Sequence, residues 1–357
     1  MTATETPAPA GPSAGSPGAA GRTAPAPGGA RRRSPVTAWT LWTVRRVGLA
    51  ALTLWLVSVL VFLATAALGD PVKAILGKEA STSPGRAQQI REQLHLDESL
   101  WDRYWHWLGG LLTGDPGTSV ANGLPVGELI GDRVVNSAVL VLIAAVVIIP
   151  VAFGVALLSA RHRGRKLDHG IQLVVLTLAG LPEFVVGIVL VAIFSTVVFH
   201  ALPAVTISAG GEAPWTQPAS MILPVATLVL VVAPYVIRIM RSALLEVLDS
   251  DYVELARLKG VPERVVLRRH ALRNAVVPGI QVVALQLAWL ASGIVLVEYL
   301  FSYPGMGASL VDSVRNSDVP MVQALAMIVA AVYVVVNLVA DALSILCTPR
   351  ERTAISS

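Results

Sequence analysis

Six long stretches of this sequence are almost free of charged residues, and they constrain the fold more than any other feature. They are residues 47–69, 134–160, 170–199, 213–237, 274–297 and 319–340. Each is long enough to cross the hydrocarbon core of a bilayer, which takes about 20 predominantly apolar residues in a helix. Hydrophobic side chains make up 54% of the 357 residues and charged ones only 14%, whereas soluble domains carry about a quarter charged residues. The chain is therefore expected to be an integral membrane protein.

These stretches are expected to be helices. Inside lipid the backbone must satisfy its own hydrogen bonds, and the runs are too long and uninterrupted for barrel strands. The first run, 47–69, also exceeds the apolar core of a cleaved signal peptide, so it should remain as a membrane anchor. The predicted fold is all-α: a bundle of six transmembrane helices over residues 35–348.

Basic residues predict the orientation of the bundle. With six spans, four segments lie on one side of the membrane, and they hold 20 of the 27 lysines and arginines. The short loop 161–168 alone contains four of them. Because such residues stay in the cytoplasm, both termini are expected there. Residues 1–34, rich in Ala, Pro, Gly, Ser and Thr, are predicted to be a disordered cytoplasmic tail, and 349–357 a short second tail.

The sequence offers little for catalysis. It has no GxxxxGK[ST] phosphate loop, no HExxH and no GxSxG, so neither ATP binding nor a zinc or serine hydrolase is expected. Six histidines and one cysteine provide few ligands for a metal, and no nucleic-acid motif accompanies the net charge of +4. We therefore expect no enzyme activity, cofactor, metal or nucleic-acid partner in this chain, and direct contact with membrane lipids.

The long outer loop, 70–133, is expected to contain two short helices. Ser83 and Pro84 mark the start of the first, which ends near Leu94. The second, 98–112, places aromatic side chains on one face at the spacing of an amphipathic helix: Trp101, Tyr104, Trp105 and Leu108. This helix either forms a docking platform for an external partner or lies at the membrane surface as a cover over the bundle.

The loop 238–273 combines dense charge with helical periodicity. Tyr252, Leu255, Ala256 and Lys259 share a face, Gly260 provides a left-handed stop, and Pro262 starts a second helix that leads into the fifth span. Such a helix–glycine–helix elbow suits force transmission to another protein, because its small residues permit close approach and its charges set register. The alternative is an amphipathic helix resting on anionic headgroups. From the residues alone the two interpretations stay open.

The same stretch resembles the EAA loop of binding-protein-dependent ABC permeases. Glu254, Leu255 and Ala256 are followed after three residues by Gly260, and 270–273 (HALR) match the variant of the dipeptide, oligopeptide and nickel branch. Three further motifs resemble that branch: GDPGTS at 114–119, EYLFSYPGMG at 298–307, and the closing NLVADALSILCTPR. The long first outer loop resembles that of the first permease of the pair.

The resemblance implies a place in the inner membrane of a bacterium and a mechanism with no chemistry in this chain. Two cytoplasmic ATPase subunits would hydrolyse ATP, a second homologous permease would complete the pore, and an extracytoplasmic binding protein would deliver the substrate. The residues that match the coupling helix and would contact an ATPase are Asp251, Tyr252, Glu254, Ala256, Arg257, Lys259 and Gly260. Peptides are the expected cargo, with a nickel chelate or glutathione as the alternative. An ATPase-independent carrier or channel is a third possibility.

Charged residues in or near the spans are functional candidates by default. Glu183 follows a proline in the third span, where it would either line a water-filled path or be satisfied by backbone freed at the kink. Glu298 and Asp341 are expected near interfacial water in structural roles. Arg238 and Arg241 are expected to extend as anchors toward the headgroups.

Overall fold

The structure, a computed structural model, describes residues 35–67, 72, 84–93, 96–206, 212–267 and 272–347. The predicted tails, 1–34 and 349–357, lie outside the described residues, as do Ser83 and 268–271. All named elements within the described part are helical. The first six are α1 (Pro35–Ala67), α2 (Pro84–Gln93), α3 (Leu100–Thr113), α4 (Val126–Arg161), α5 (Lys166–Ala179) and α6 (Glu183–Val191). The remainder are α7 (Pro218–Leu248), α8 (Asp251–Leu258), α9 (Glu263–Val265), α10 (Leu272–Leu300), α11 (Met306–Arg315) and α12 (Val319–Cys347).

Each of the six predicted spans coincides with helix. Four helices are individually long and apolar enough to cross a membrane: α1, α4, α7 and α12. The third predicted span is a broken one, in which α5 and α6 meet at a bend of 106°. The fifth lies within the 29 residues of α10. The described part of the fold is an all-α bundle of membrane-spanning helices, as the apolar pattern predicts.

The break in the third span lies at 180–182, where a glycine and a proline interrupt the helix. Proline removes a backbone donor and disfavours helix in the residue before it, which accounts for the bend. Beyond α6 the chain widens into a π-helical turn at Ala192–Thr196. The span therefore consists of two half-helices rather than one straight rod.

Helix α7 lies at the centre of the bundle. It packs against α4, α5, α6 and α10. Of its most apolar 18-residue stretch, 72% is buried inside the protein. By contrast, only 11% of the corresponding stretch of α1 is buried, and that helix packs on α12 at the edge of the bundle. The apolar side chains of α1 are therefore available for contact with lipid or another subunit.

Several helices extend beyond the apolar stretches that predicted them, and two of these extensions lie next to functional segments. Helix α4 begins at Val126 rather than near 134, and α7 continues past 237 to Leu248. Hydropathy marks the part of a helix that can lie in lipid, whereas helical hydrogen bonding also continues through polar turns. As a result α7 runs without interruption to the charged loop that follows it.

The second helix of the 70–133 loop, α3, packs on α1. The hydroxyl of Tyr104 lies 2.9 Å from that of Ser58, and its ring meets Phe62 edge-on at 5.4 Å. Trp101 and Trp105 remain exposed by 68% and 47%. The predicted aromatic face is therefore divided, with Tyr104 turned toward the bundle and the tryptophans turned away from it.

Candidate functional site

The charged loop after α7 folds into a compact elbow, which we define as residues 249–267. Helix α8 begins after Ser250, whose extended backbone (φ −80°, ψ 147°) precedes the first helical turn. That turn contains Asp251 and Glu254. Carboxylates at this position stabilise a helix because they face the positive end of its dipole.

Gly260 ends α8 in the left-handed conformation that the sequence predicts, with φ +77°. Its N–H donates to the carbonyl of Arg257 at 2.9 Å, and the N–H of Val261 donates to that of Ala256 at 3.1 Å. This pair of hydrogen bonds is a Schellman C-cap, in which glycine is favoured because it has no Cβ to strain. Pro262 then caps α9 from just outside the helix rather than occupying its first position.

The side chains of α8 divide into an inner anchor and an outer face. Val253 is completely buried against the bundle. Tyr252, Leu255 and Leu258 are 45%, 52% and 79% exposed, and Lys259 is exposed beside them. Ala256 is half-buried. Helical spacing identified most of the outer face but missed both Leu258 and the anchor Val253.

Arg257 is engaged within the elbow. Its guanidinium donates to the Glu263 carboxylate at 2.8 and 3.2 Å and to the carbonyl of Leu248 at 3.3 Å. The hydrogen bond from Arg257 lowers the pKa of Glu263, with partial desolvation opposing it. The same pair raises the pKa of Arg257. Arg257, which the resemblance assigns to the contact with an ATPase, thus joins α8, α9 and the end of α7 within this chain.

Two further ion pairs connect this end of the bundle. Arg163, in the turn after α4, donates to both carboxylate oxygens of Asp249 at 2.7 and 2.8 Å. Arg241 of α7 pairs with Asp168 at 2.8 Å. The expectation that Arg241 extends toward headgroups is therefore wrong, because a buried carboxylate on α5 binds it. Arg238 is exposed and lies over the ring of Tyr235, 5.4 Å from its centroid.

At the opposite end of the bundle the GDPGTS motif is anchored to the last helix. Asp115 accepts a hydrogen bond from the N–H of Gly117 at 3.1 Å, which closes the turn. Ser119 donates to the carboxylate of Asp318, the residue before α12, and the N–H of Val120 donates to it at 3.2 Å. Asp318 is only 3% exposed. This motif therefore connects the end of the long loop to α12.

The EYLFSYPGMG motif folds around a buried carboxylate. Glu298 is completely inaccessible, contrary to the expectation that it reaches interfacial water. It accepts hydrogen bonds from the Ser137 hydroxyl at 2.5 Å and from the backbone N–H groups of Gly307 and Ala308 at 2.6 and 3.3 Å. The end of α10 is thereby fixed to α4 and to the first turn of α11. A Cβ at Gly305 would lie 2.2 Å from the Glu298 carboxyl carbon, so this close approach requires glycine there.

Glu183 is the first residue of α6, at the break in the third span. It is half-exposed, and among the described residues its carboxylate forms no hydrogen bond or ion pair. The interpretation in which freed backbone groups satisfy it therefore gains no support.

Comparison with known proteins identifies the family. A model described as "Binding-protein-dependent transport system inner membrane component" matches residues 149–353, more than half of the chain. A second, for the N-terminal part of such membrane components, matches residues 40–125. The chain belongs to this family.

Similar proteins include permeases of one transport system. The Glutathione transport system permease protein GsiC of Escherichia coli (strain K12) is 34% identical over 309 residues, which cover 86% of this chain and 97% of the relative. The protein of the same name from Salmonella choleraesuis (strain SC-B67) is 36% identical over the same shares. The resemblance to the peptide and nickel branch of ABC permeases is thus confirmed. Permeases of this family are multi-pass inner-membrane components of ABC importers, without catalysis of their own, and they work with an ATPase and a binding protein.

Proposed function

We propose that this permease is a transmembrane subunit of an ATP-driven importer of short peptides and peptide-like solutes, with glutathione as the first cargo to test. The observation that carries the proposal is the elbow. It forms a rigid charged helix with an exposed apolar face, attached directly to the central helix of the bundle. Val253, completely buried against the bundle, fixes this helix to the protein as transmission of a displacement requires.

In this mechanism α8 is the coupling helix. Tyr252, Leu255 and Leu258 form the face that enters a groove on the ATPase. The charged residues Asp251, Glu254 and Lys259 surround that face and set its register. Closure of the ATPase dimer displaces α8, and because Val253 is packed beneath it the displacement passes into α7 rather than into rotation of α8 alone.

The remaining assembly follows from the family and from the charge distribution. The basic end of the bundle, with 161–166 and 238–267, faces the cytoplasm, so both termini lie inside. Two ATPase subunits bind there, one on this permease and one on a second homologous permease. The opposite end, with 96–125 and 301–318, receives substrate from an extracytoplasmic binding protein. That end is held together by Glu298 and Asp318, which gives a binding protein a stable surface.

The names of the relatives favour glutathione among the alternatives that the sequence leaves open. Glutathione is itself a tripeptide, so it belongs to the same chemical class as di- and oligopeptides. Each has a charged amine that a carboxylate in the path would attract. Glu183, half-exposed at the break between two half-helices, is the candidate for that role, because broken helices commonly line transport paths.

The test is uptake by the purified complex in liposomes. We expect ATP-dependent accumulation of labelled glutathione or dipeptide only when both ATPase subunits and the binding protein are present. Competition between glutathione, dipeptides and a nickel chelate ranks the three cargo classes. Uptake of solute by the permease alone, without any nucleotide-hydrolysing subunit, would contradict the proposal and favour a carrier or channel.

A further inference from the structure

The Asp168–Arg241 pair is the most completely enclosed ion pair among the described residues. The Arg241 guanidinium donates to one Asp168 oxygen at 3.0 Å and to the other at 2.8 Å, in the bidentate geometry of strong pairs. Asp168 is 3% exposed, and the side chain of Arg241 is 20% exposed. Nothing in the sequence pairs these residues, which lie 73 positions apart.

The pair joins three elements. The Ser159 hydroxyl, in the last turn of α4, donates to Asp168 at 2.5 Å and accepts from Arg241 at 3.0 Å. The N–H of Gly164, in the turn between α4 and α5, donates to Asp168 at 3.0 Å. Gln172, one turn along α5, donates to Ser159 at 3.1 Å. We call these five residues the inner clasp: it holds α4, α5 and α7 at a single point.

The clasp lies between the elbow and the broken span. Arg241 precedes the end of α7 by seven residues, or about 10 Å along a helix, and the elbow follows directly. Asp168 lies in the first turn of α5, the half-helix that leads to the 106° break. Movement of the elbow that displaces α7 therefore pulls on α5 through two parallel charge-assisted hydrogen bonds.

A stabilising role alone does not explain an ion pair in this place. Well-packed apolar residues usually replace a buried pair without loss of stability, because desolvation offsets most of the attraction between the charges. What a bidentate pair provides, and apolar contact does not, is a fixed register between two helices.

We propose that Asp168 and Arg241 are positioning residues, which transmit displacement of the elbow from α7 to α5 and so to the broken third span. This inference rests on the proposed function, since it presumes an ATPase that moves the elbow. Without the clasp α7 slides past α5, ATP hydrolysis continues, and less solute crosses per ATP.

The test replaces both charges together, because removal of one leaves the other buried and unpaired. We expect the D168N/R241M permease to insert, to assemble with its partners and to melt near the temperature of the unmodified complex. Uptake per ATP hydrolysed should fall about 2- to 30-fold, the range over which single contacts modulate coupling. The matched control is R46M/D341N, which removes an exposed pair of 2.6 Å between α1 and α12 and should leave uptake per ATP unchanged.

A second measurement uses the intact clasp and so does not depend on folding of the variant. Spin labels at Leu173 of α5 and Val265 of α9, both exposed and outside the face assigned to the ATPase, report the distance between α5 and the elbow when Cys347 is replaced by Ser. With the clasp intact that distance should stay constant between nucleotide-free and ATP-bound complexes. A change of several ångströms, or a D168N/R241M complex with unmodified uptake per ATP, overturns the inference. Failure of the unmodified complex to show ATP-driven uptake would instead refute the proposed function.

Discussion

Gly260 permits the most direct test of the elbow. A non-glycine residue in the left-handed conformation costs about 1–2 kcal/mol, and the φ of Gly260 is +77°. A Cβ there would meet nothing within 4 Å, so within this chain the cost is backbone strain alone. A penalty of that size shifts the ratio of intact to disrupted elbow by a factor of roughly 5 to 30. The loss of transport should be smallest for Gly260→Asn, larger for Gly260→Ala and largest for Gly260→Val, since asparagine tolerates positive φ and β-branched residues tolerate it least.

The assay is ATP-dependent uptake in liposomes, normalised to the amount of assembled complex. Gly123 provides the matched control, because its φ is +68° and its Cβ position is equally open, but it lies at the opposite end of the bundle. Gly123→Val should impose similar strain at the end assigned to the binding protein and leave co-purification of the ATPase subunits intact, whereas Gly260→Val should weaken it. Full uptake by Gly260→Val at normal abundance would refute the coupling role of the elbow. Equal losses from both valine variants would mean that the assay detects general instability.

Three further results are expected. Val253→Ala leaves a cavity beneath α8 worth about 1–2 kcal/mol, so limited proteolysis should cleave the elbow faster in that variant than in the unmodified permease. The Arg257 hydrogen bond lowers the pKa of Glu263 from its usual value of 4.5, so the pair should stabilise the elbow fully at pH values above 4.5. That contribution should be lost as the pH falls through the lowered pKa. A spin label on the elbow should report this acid dependence, and Glu263→Gln should abolish it. Asp318→Ala leaves the buried Ser119 hydroxyl without its acceptor, so the purified protein should melt at a lower temperature.

Much of the fold could be predicted from the sequence because a bilayer leaves few choices. Long apolar runs must be helices, and all six predicted runs coincide with helix. The left-handed stop at Gly260 was equally predictable, since a glycine directly after an amphipathic helix most often forms its left-handed C-cap. The ends of α4 and α7 were not predictable from hydropathy, because those helices continue into polar sequence at Glu128 and Arg241.

The partners of the charged residues could not be predicted. Glu298 looks in the sequence like a carboxylate at the water interface, but its acceptor sites are filled by α4 and by the N-terminus of α11. Arg241 looks like a headgroup anchor, but α5 presents Asp168 to it. Both pairings depend on which helices are neighbours, and helix periodicity specifies the face of a residue without specifying what that face meets.

The two ends of the bundle are held by different kinds of contact, and the difference bears on how the elbow can move. At the basic end, Arg163–Asp249 and Arg257–Glu263 are each about half exposed, and such pairs contribute little and are screened by salt. At the opposite end, Glu298 is buried and held by three hydrogen bonds, whose loss would leave a desolvated carboxylate. A force on α8 should therefore displace the exposed pairs first and the opposite end last. Within the part of the chain that the structure describes, the inner clasp is the one ion-pair cluster that is both buried and at the basic end, so it determines which helix follows α7.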